Sequence, residues 1–295
     1  MIQENARFAM AFLGKEIRMA GYMGCSSVGN IEPNVIAKPA SDVDFIPVVG
    51  QDNVAAGHER DAVPGTDVIR IKRGSDETIK ITGNLSPNNA NVQIENNSID
   101  IKQNDYVLIA DCSTADIFRV TNSPKGEGKG KTTLAHASSN NSNNRLSKIY
   151  SGDAEIFGFE TTHFFVRDTG RKTAGGSPVY ALYSQHRGLS SGGAEEPAIE
   201  LVEGIENLQL SYGLDTSGDR AVDEYKAADA VADWLDVVSV RVELTLVGND
   251  ENIVGEDGDA DAQTVTDRDG NTIANGDGRM RQVFTSVFAL RNRLP

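Results

Sequence analysis

One stretch carries a helical period and everything after it does not, and that asymmetry limits the fold more than any other feature. On a wheel of 100° per residue, Ile2, Ala6, Ala9, Met10, Leu13, Ile17 and Ala20 gather within roughly 100° of arc. Gly21 and Gly24 then stop the helix. A second, narrower apolar strip, Phe8, Phe12 and Met19, lies roughly opposite. One stripe is enough to dock a helix on its own domain, so the second either meets another partner or reaches round into the same core. The pattern is already running at residue 2 with no Ser, Thr, Asp or Asn cap before it, as expected of a helix cut from a longer one.

Beyond Cys25 the period falls to two. Residues 26–66 read as irregular, with Pro33, Pro39, Pro47 and Pro64 spaced through polar sequence. Strands are predicted at Val68–Arg73, Thr78–Thr82, Tyr106–Asp111, Asp116–Thr121, Thr132–His136, Glu155–Arg167, Val179–Arg187, Asn207–Tyr212, Val237–Val247 and Val283–Leu290. Val238 through Leu246 alternate cleanly, which predicts an antiparallel strand with one wet side. Lys226–Asp233 reads as a short helix, and Ser138–Asn144 as a low-complexity loop. One helix followed by many strands spells α+β, with the helix laid over antiparallel sheet.

Charge narrows the partners. Twenty-eight Lys and Arg against 43 Asp and Glu leave a formal net charge of −15. Such a surface repels phosphate backbones and anionic lipid, so no nucleic acid is expected as a partner. Residues 250–277 hold nine carboxylates and one base, Arg268, the pattern of a solvated loop or a cation site. No run approaches eighteen apolar residues, so no part of the chain as given is expected to span a bilayer. In the start as given, Met-Ile-Gln-Glu-Asn, no export signal is visible.

The catalytic motifs fail on context. Gly188-Leu189-Ser190-Ser191-Gly192 matches a nucleophile elbow, but Gly193-Ala194-Glu195-Glu196-Pro197 follows where a helix should begin. Gly126 to Thr132 resembles a phosphate loop one residue short, and the sequence after it reads as strand, whereas a phosphate loop presents its amides from a helix N-terminus. His58, His136, His163 and His186 lie far apart; only His163 and His186 could meet, across strands. No catalytic set survives, so the chain is expected not to be an enzyme and to need no cofactor other than calcium. For calcium, Asp215, Ser217, Asp219 and Asp223 offer oxygens at alternating positions, as do Asp257, Asp259 and Asp261. Arg220 and Ala262 stand where an EF-hand needs glycine, and Lys226 and Arg268 where it needs glutamate, so a polar turn competes with a calcium loop at each.

Only two cysteines occur, Cys25 and Cys112, with no Cys-x-x-Cys. Both follow segments expected to end at the domain edge, which favours a bridge closing about 88 residues and worth about 4–5 kcal/mol in the chain-entropy model. Two buried free thiols in a cytosolic protein are the alternative.

Several blocks together resemble the PilW-type minor pilins of bacterial type IV pili. They are Gln3-Glu4-Asn5-Ala6-Arg7-Phe8-Ala9, then Ile17 through Cys25, and Ala110-Asp111-Cys112-Ser113 with Ala115-Asp116-Ile117-Phe118. Tyr212-Gly213-Leu214-Asp215, Trp234 with Val237 through Val242, and Arg281 through Leu294 follow in order. The match spans both ends; 26–66 and 120–200 are loose. The J-type pseudopilin of type II secretion is a related shape that fits these blocks less well.

The resemblance implies an N-terminal helical spine packed on an antiparallel β-sheet head, with residues 1–24 as the C-terminal half of the spine and 25–295 as the head. Family members begin with a prepilin leader and an apolar helix that sits in the inner membrane before assembly. Neither is visible in this sequence, so it is expected to be a soluble truncation, with membrane contact only through the missing segment. The family's cysteine pair maps onto Cys25 and Cys112, and an exported location suits a disulfide. The implied function is a non-enzymatic minor pilin of the pilus tip and initiation complex that primes assembly. It would reside in the inner membrane and periplasm before assembly and on the cell-surface pilus after it. Its expected partners are other minor pilins and the major pilin, met through Phe8, Phe12 and Met19, with a tip adhesin beyond. A calcium-dependent extracellular binding module is the alternative.

Overall fold

The computed structural model describes residues 2–27, 31–39, 43–82, 90–126, 129–251, 253–255, 263–266, 270, 272–273 and 277–293. Helix α1 (Ile2–Met19) opens the chain. The short strands β1 (Tyr22–Met23), β2 (Ser26–Ser27), β3 (Asn34–Val35) and β4 (Val48–Gln51) follow it. Then come β5 (Val68–Lys80), β6 (Asn91–Ile94), β7 (Tyr106–Ala110), β8 (Ala115–Arg119), β9 (Thr132–Ala135), β10 (Glu155–Lys172) and β11 (Pro178–Arg187). The last third holds β12 (Ile199–Glu203), β13 (Ile205–Leu214), β14 (Glu224–Lys226), β15 (Val237–Val247), β16 (Val265–Thr266), β17 (Thr272–Ile273) and β18 (Arg281–Ala289).

Strand β10 organises the larger sheet. One of its edges pairs with β5 from Glu155 to Phe164; the other takes β7 at Glu155–Gly158 and then β11 from Thr161 onward. β12 extends this sheet beyond β11, β8 and β3 extend it beyond β7, and β4 pairs with β5. A second sheet runs β14-β13-β15-β18, all antiparallel. β3 on β8 is the parallel pair among the described residues.

The main core lies between these two sheets. Ile69, Ile71, Phe164 and Leu182 come from the larger one, and Leu208, Leu210, Val240, Val242 and Leu244 from the smaller. Helix α1 closes the core with Ala6, Ala9, Leu13 and Ile17. Satellite clusters sit under β6 and β9 and around Phe45 and Phe159.

This architecture corrects the α+β expectation of a helical spine packed on a β-sheet head. The chain is mostly β, spread over several sheets, with a single α-helix among the described residues. The reason lies in what the helix buries: three of its five fully buried residues are Ala6, Ala9 and Gly14, which contribute little core volume. Apart from Leu13 and Ile17, the bulky residues of the main core come mostly from the strands. Lys226–Asp233 is likewise not a helix; only Ala228–Ala230 makes a 3-10 turn. The irregular 26–66 region contains β2 to β4, and Val68–Arg73 and Thr78–Thr82 merge into the single thirteen-residue β5 with its end trimmed to Lys80.

Candidate functional site

Helix α1 is held by polar ties near its start and along its last turn. Asn5 donates its carboxamide N–H to the Glu203 carbonyl at 2.9 Å. Glu16 accepts from Arg73 Nε at 3.0 Å, and Arg73 is nearly buried. Asn292 donates to the last carbonyls of the helix segment, Met19 at 3.3 Å and Ala20 at 3.1 Å, which satisfies acceptors that have no partner within a helix. Gly14 lies against the ring of Phe288, and Arg18 sits over that ring at 4.9 Å.

With the Leu13–Ile17 stripe inward, Phe8 is left 53% exposed and Phe12 38% exposed. Their rings pack on each other edge to face, centroids 4.8 Å apart. Met19 is half-buried at the far end of the helix. Burying one such aromatic is worth about 1.5–3 kcal/mol, a gain that the exposed part of this pair does not obtain within the chain. The two-strip pattern was legible at the start; only the structure shows that the aromatics do not turn into the core.

Cys25 and Cys112 form a disulfide, with Cα atoms 5.1 Å apart and a sequence separation of 87. The bridge ties the β1–β2 hairpin, just after the helix, to the turn between β7 and β8.

The Asp215 loop uses its own carboxylates. Asp215 accepts from the amides of Gly218, Asp219 and Arg220 at 2.7–3.2 Å. Asp223 accepts from the amide and hydroxyl of Thr216 and the amide of Ser217, contacts that hold its carboxyl below the usual range. Asp219 accepts from the Ala221 amide. These are the hydrogen bonds of an acidic turn. Among the described residues no group of three or more His, Cys, Asp or Glu is arranged to hold a metal. Asp257, Asp259 and Asp261 lie outside the described residues.

The remaining motifs resolve into structural contacts. The Ser190 hydroxyl donates to the carbonyl and carboxylate of Asp100, while its amide and that of Gly192 donate to the buried Asp105. Burial pushes the Asp105 carboxyl up, partly offset by those amides. His163 is opposite Gln185 and His186 opposite Thr162, so the two histidines point to opposite faces of the sheet and do not meet. Of the phosphate-loop resemblance, residues 127 and 128 lie outside the described residues, and Thr132–Ala135 is strand.

Sequence reasoning missed a buried basic band. Arg70 and Lys72 on β5 share a sheet face with His163, Thr161 and Arg187 through the β5–β10–β11 register. Asp44 accepts from Arg70 at 3.0 Å and from Lys72 at 2.7 Å, and Arg60 reaches both His163 and Glu195. A pocket of about 150 Å³ opens here beside His58, Arg60, Arg70 and His163. Burial, and then the Arg60, Arg70 and Arg187 charges, push the His163 ring down to about 3, so it stays neutral and accepts from Arg60. The Ile69/Arg70/Ile71/Lys72 alternation was visible, but it reads as a wet face rather than one covered by Asp44 and its neighbours.

Residues 163–292 match the family model of type IV pilus-assembly protein W, PilW. The match supports a PilW-type pilus protein, a component related to type IV pilus assembly. No curated protein and no solved structure matches the chain. None of the helices among the described residues is long and apolar enough to cross a membrane.

Proposed function

We propose that this PilW-type pilus protein is a minor pilin, a non-enzymatic subunit of the type IV pilus tip and initiation complex that primes assembly. The observation that carries the reading is the exposed Phe8–Phe12 pair on a helix whose other stripe is buried. Phe8, Phe12 and Met19 form the face that meets other minor pilins and the major pilin, and residues 25–295 form the head. A subunit of a helical assembly uses one face for its own core and a different face for its neighbour, as heterologous packing requires. The site of action is the periplasmic side of the inner membrane before assembly and the pilus surface after it, with a tip adhesin as the next partner outward.

Two substitutions test the division. Leu13→Ala removes a side chain with no exposed surface and should cost about 2–5 kcal/mol of stability. Phe8→Glu should leave the melting temperature unchanged and reduce co-purification with co-expressed minor pilins. Unfolding by Phe8→Glu, or undiminished co-purification, would refute the assignment.

A further inference from the structure

Sheet edges present unpaired backbone groups, and three of the edges among the described residues are guarded. β12 carries Glu200 and Glu203, both engaged by Arg171. β14 is three residues long with Glu224 and Lys226 paired at its ends, and β3 has two residues. β18 is different. It is a nine-residue edge of its sheet, and from Gln282 to Ala289 it contains no charge, proline or glycine.

The direction of its backbone groups follows from its neighbours. Met280 accepts from the Gly248 amide, and the Leu290 amide donates to Val238, so even-numbered positions turn toward β15. Odd positions turn outward, because the two backbone groups of a residue in an antiparallel strand point the same way. Arg281 bears this out: its amide donates to Gln263 Oε1 at 2.8 Å, and its carbonyl accepts from Gln263 Nε2 at 2.7 Å. The Gln263 carboxamide therefore stands where the peptide group of a neighbouring strand would be. Val283, Thr285, Val287 and Ala289 present the next outward amides and carbonyls, and these have no backbone partner among the described residues. Thr285 is exposed and Val287 is 51% exposed, while Phe288, of the opposite parity, packs on the core side.

We propose that the outer edge of β18 is a β-addition site that takes an uncharged extended segment of a different polypeptide as a further strand, continuing the pairing begun by Gln263. Main-chain hydrogen bonds give affinity in this mode, and alternate side chains give selectivity. The uncharged strand favours an uncharged partner, since a charge set directly beside Val283 or Val287 would lose apolar contact and meet no counter-charge on β18 between Gln282 and Ala289. A second copy of this chain is disfavoured because two chains of net charge −15 repel each other on approach. The site is separate from the Phe8–Phe12 face and does not rest on that reading.

Residue-resolved amide exchange tests it. In the isolated protein, Val283, Thr285 and Val287 should exchange fast, and Phe284, Ser286 and Phe288 slowly; protection of the odd set would show that the edge is already covered and would overturn the proposal. The probe is a synthetic peptide copying Gln282–Ala289 with two lysines at each end, at 0.15 M salt. It should protect the odd amides. Of two versions N-methylated at alternate residues, one should bind at least tenfold more weakly and the other should not. Val287→Lys should keep the melting temperature and lower peptide affinity at least tenfold; Thr285→Pro, which removes one outward donor, should act in the same direction. No binding at millimolar peptide, equal binding by all three peptides, or odd-amide protection that grows with protein concentration alone would each overturn it.

Discussion

Lys72 offers a test of how the basic band is held. Its side chain is 1% exposed, and its ammonium donates to the Asp44 carboxylate at 2.7 Å and the Asp44 carbonyl at 3.0 Å. Burial, then the charge of Arg70, outweigh the help from Asp44 and push the ammonium from its ordinary 10.5 down to about 8. Folding thus disfavours the charged form, and the unfolded chain holds the proton more tightly. The resulting penalty is fully present below pH 8 and fades as pH rises toward 10.5. The gap between 10.5 and 8 corresponds to about 3 kcal/mol, of which about 2 should be recovered by pH 9.5. Urea unfolding of the disulfide-intact protein at pH 7.5, 8.5 and 9.5 should show a rising midpoint at constant slope. Both cysteines are bridged, so no thiol is present to start exchange at the higher pH. The window stops below 10 because Tyr180 and Tyr183, whose phenols are raised by burial, oppose the trend once they titrate in the unfolded chain. Lys72→Met should flatten the rise, with Arg70 still holding Asp44 at 3.0 Å. A flat or falling wild-type profile, or an equal rise in the variant, would show that Lys72 is not a strained buried cation.

Three further outcomes follow from single contacts. Gly14→Ala places a Cβ 2.5 Å from the Phe288 ring, so overpacking of about 1–3 kcal/mol should outweigh a helix-propensity gain of about 1 kcal/mol, and the melting temperature should fall. His136 is buried and pushed down to about 4, with Asp116 offsetting only part of the desolvation, so the stability that rests on its neutral ring should be lost as pH drops from 6.5 toward 4. His136→Phe should reduce that acid sensitivity in urea titrations, and unchanged sensitivity would contradict the assignment. Reducing the Cys25–Cys112 bridge should lower stability by about 4–5 kcal/mol, read as a shift in denaturation midpoint, since it frees a loop of 87 residues.

Legibility in the sequence varied with the kind of information. Helix α1 was readable because a 3.6-residue period needs no knowledge of its partner, and β15 as a strand because Val238 to Leu246 alternate, although its expected wet side is largely covered, with Ser239 and Thr245 buried. Fold class was misjudged because a helix that begins a chain looks like a layer until its buried residues are counted, and Ala6, Ala9 and Gly14 fill little space. β5 was read as two strands because Gly74-Ser75-Asp76-Glu77 has the composition of a turn. Tertiary contacts override it: Arg73 bonds Glu16 and Asp76, the Ser75 hydroxyl accepts from the Gly158 amide, and Gly74 passes close to Phe157 and the Tyr22 carbonyl. The basic band and the β18 edge were illegible for a shared reason. Alternation identifies the two faces of a strand, but what covers a face or an edge is decided by segments far away, such as Asp44 for Lys72 and Gln263 for Arg281.

The position of the disulfide has a mechanical consequence. If the chain is pulled from its two ends, tension entering through α1 reaches Cys25 and crosses the sulfur bridge directly to Cys112. The segment between them, including β3 to β7, then carries no load while the bridge is intact, and about 300 Å of contour length is locked out of any extension. Under force the molecule would lengthen only by peeling the helix at one end and the β8–β18 portion at the other, and reduction would release the hidden length as one additional increment.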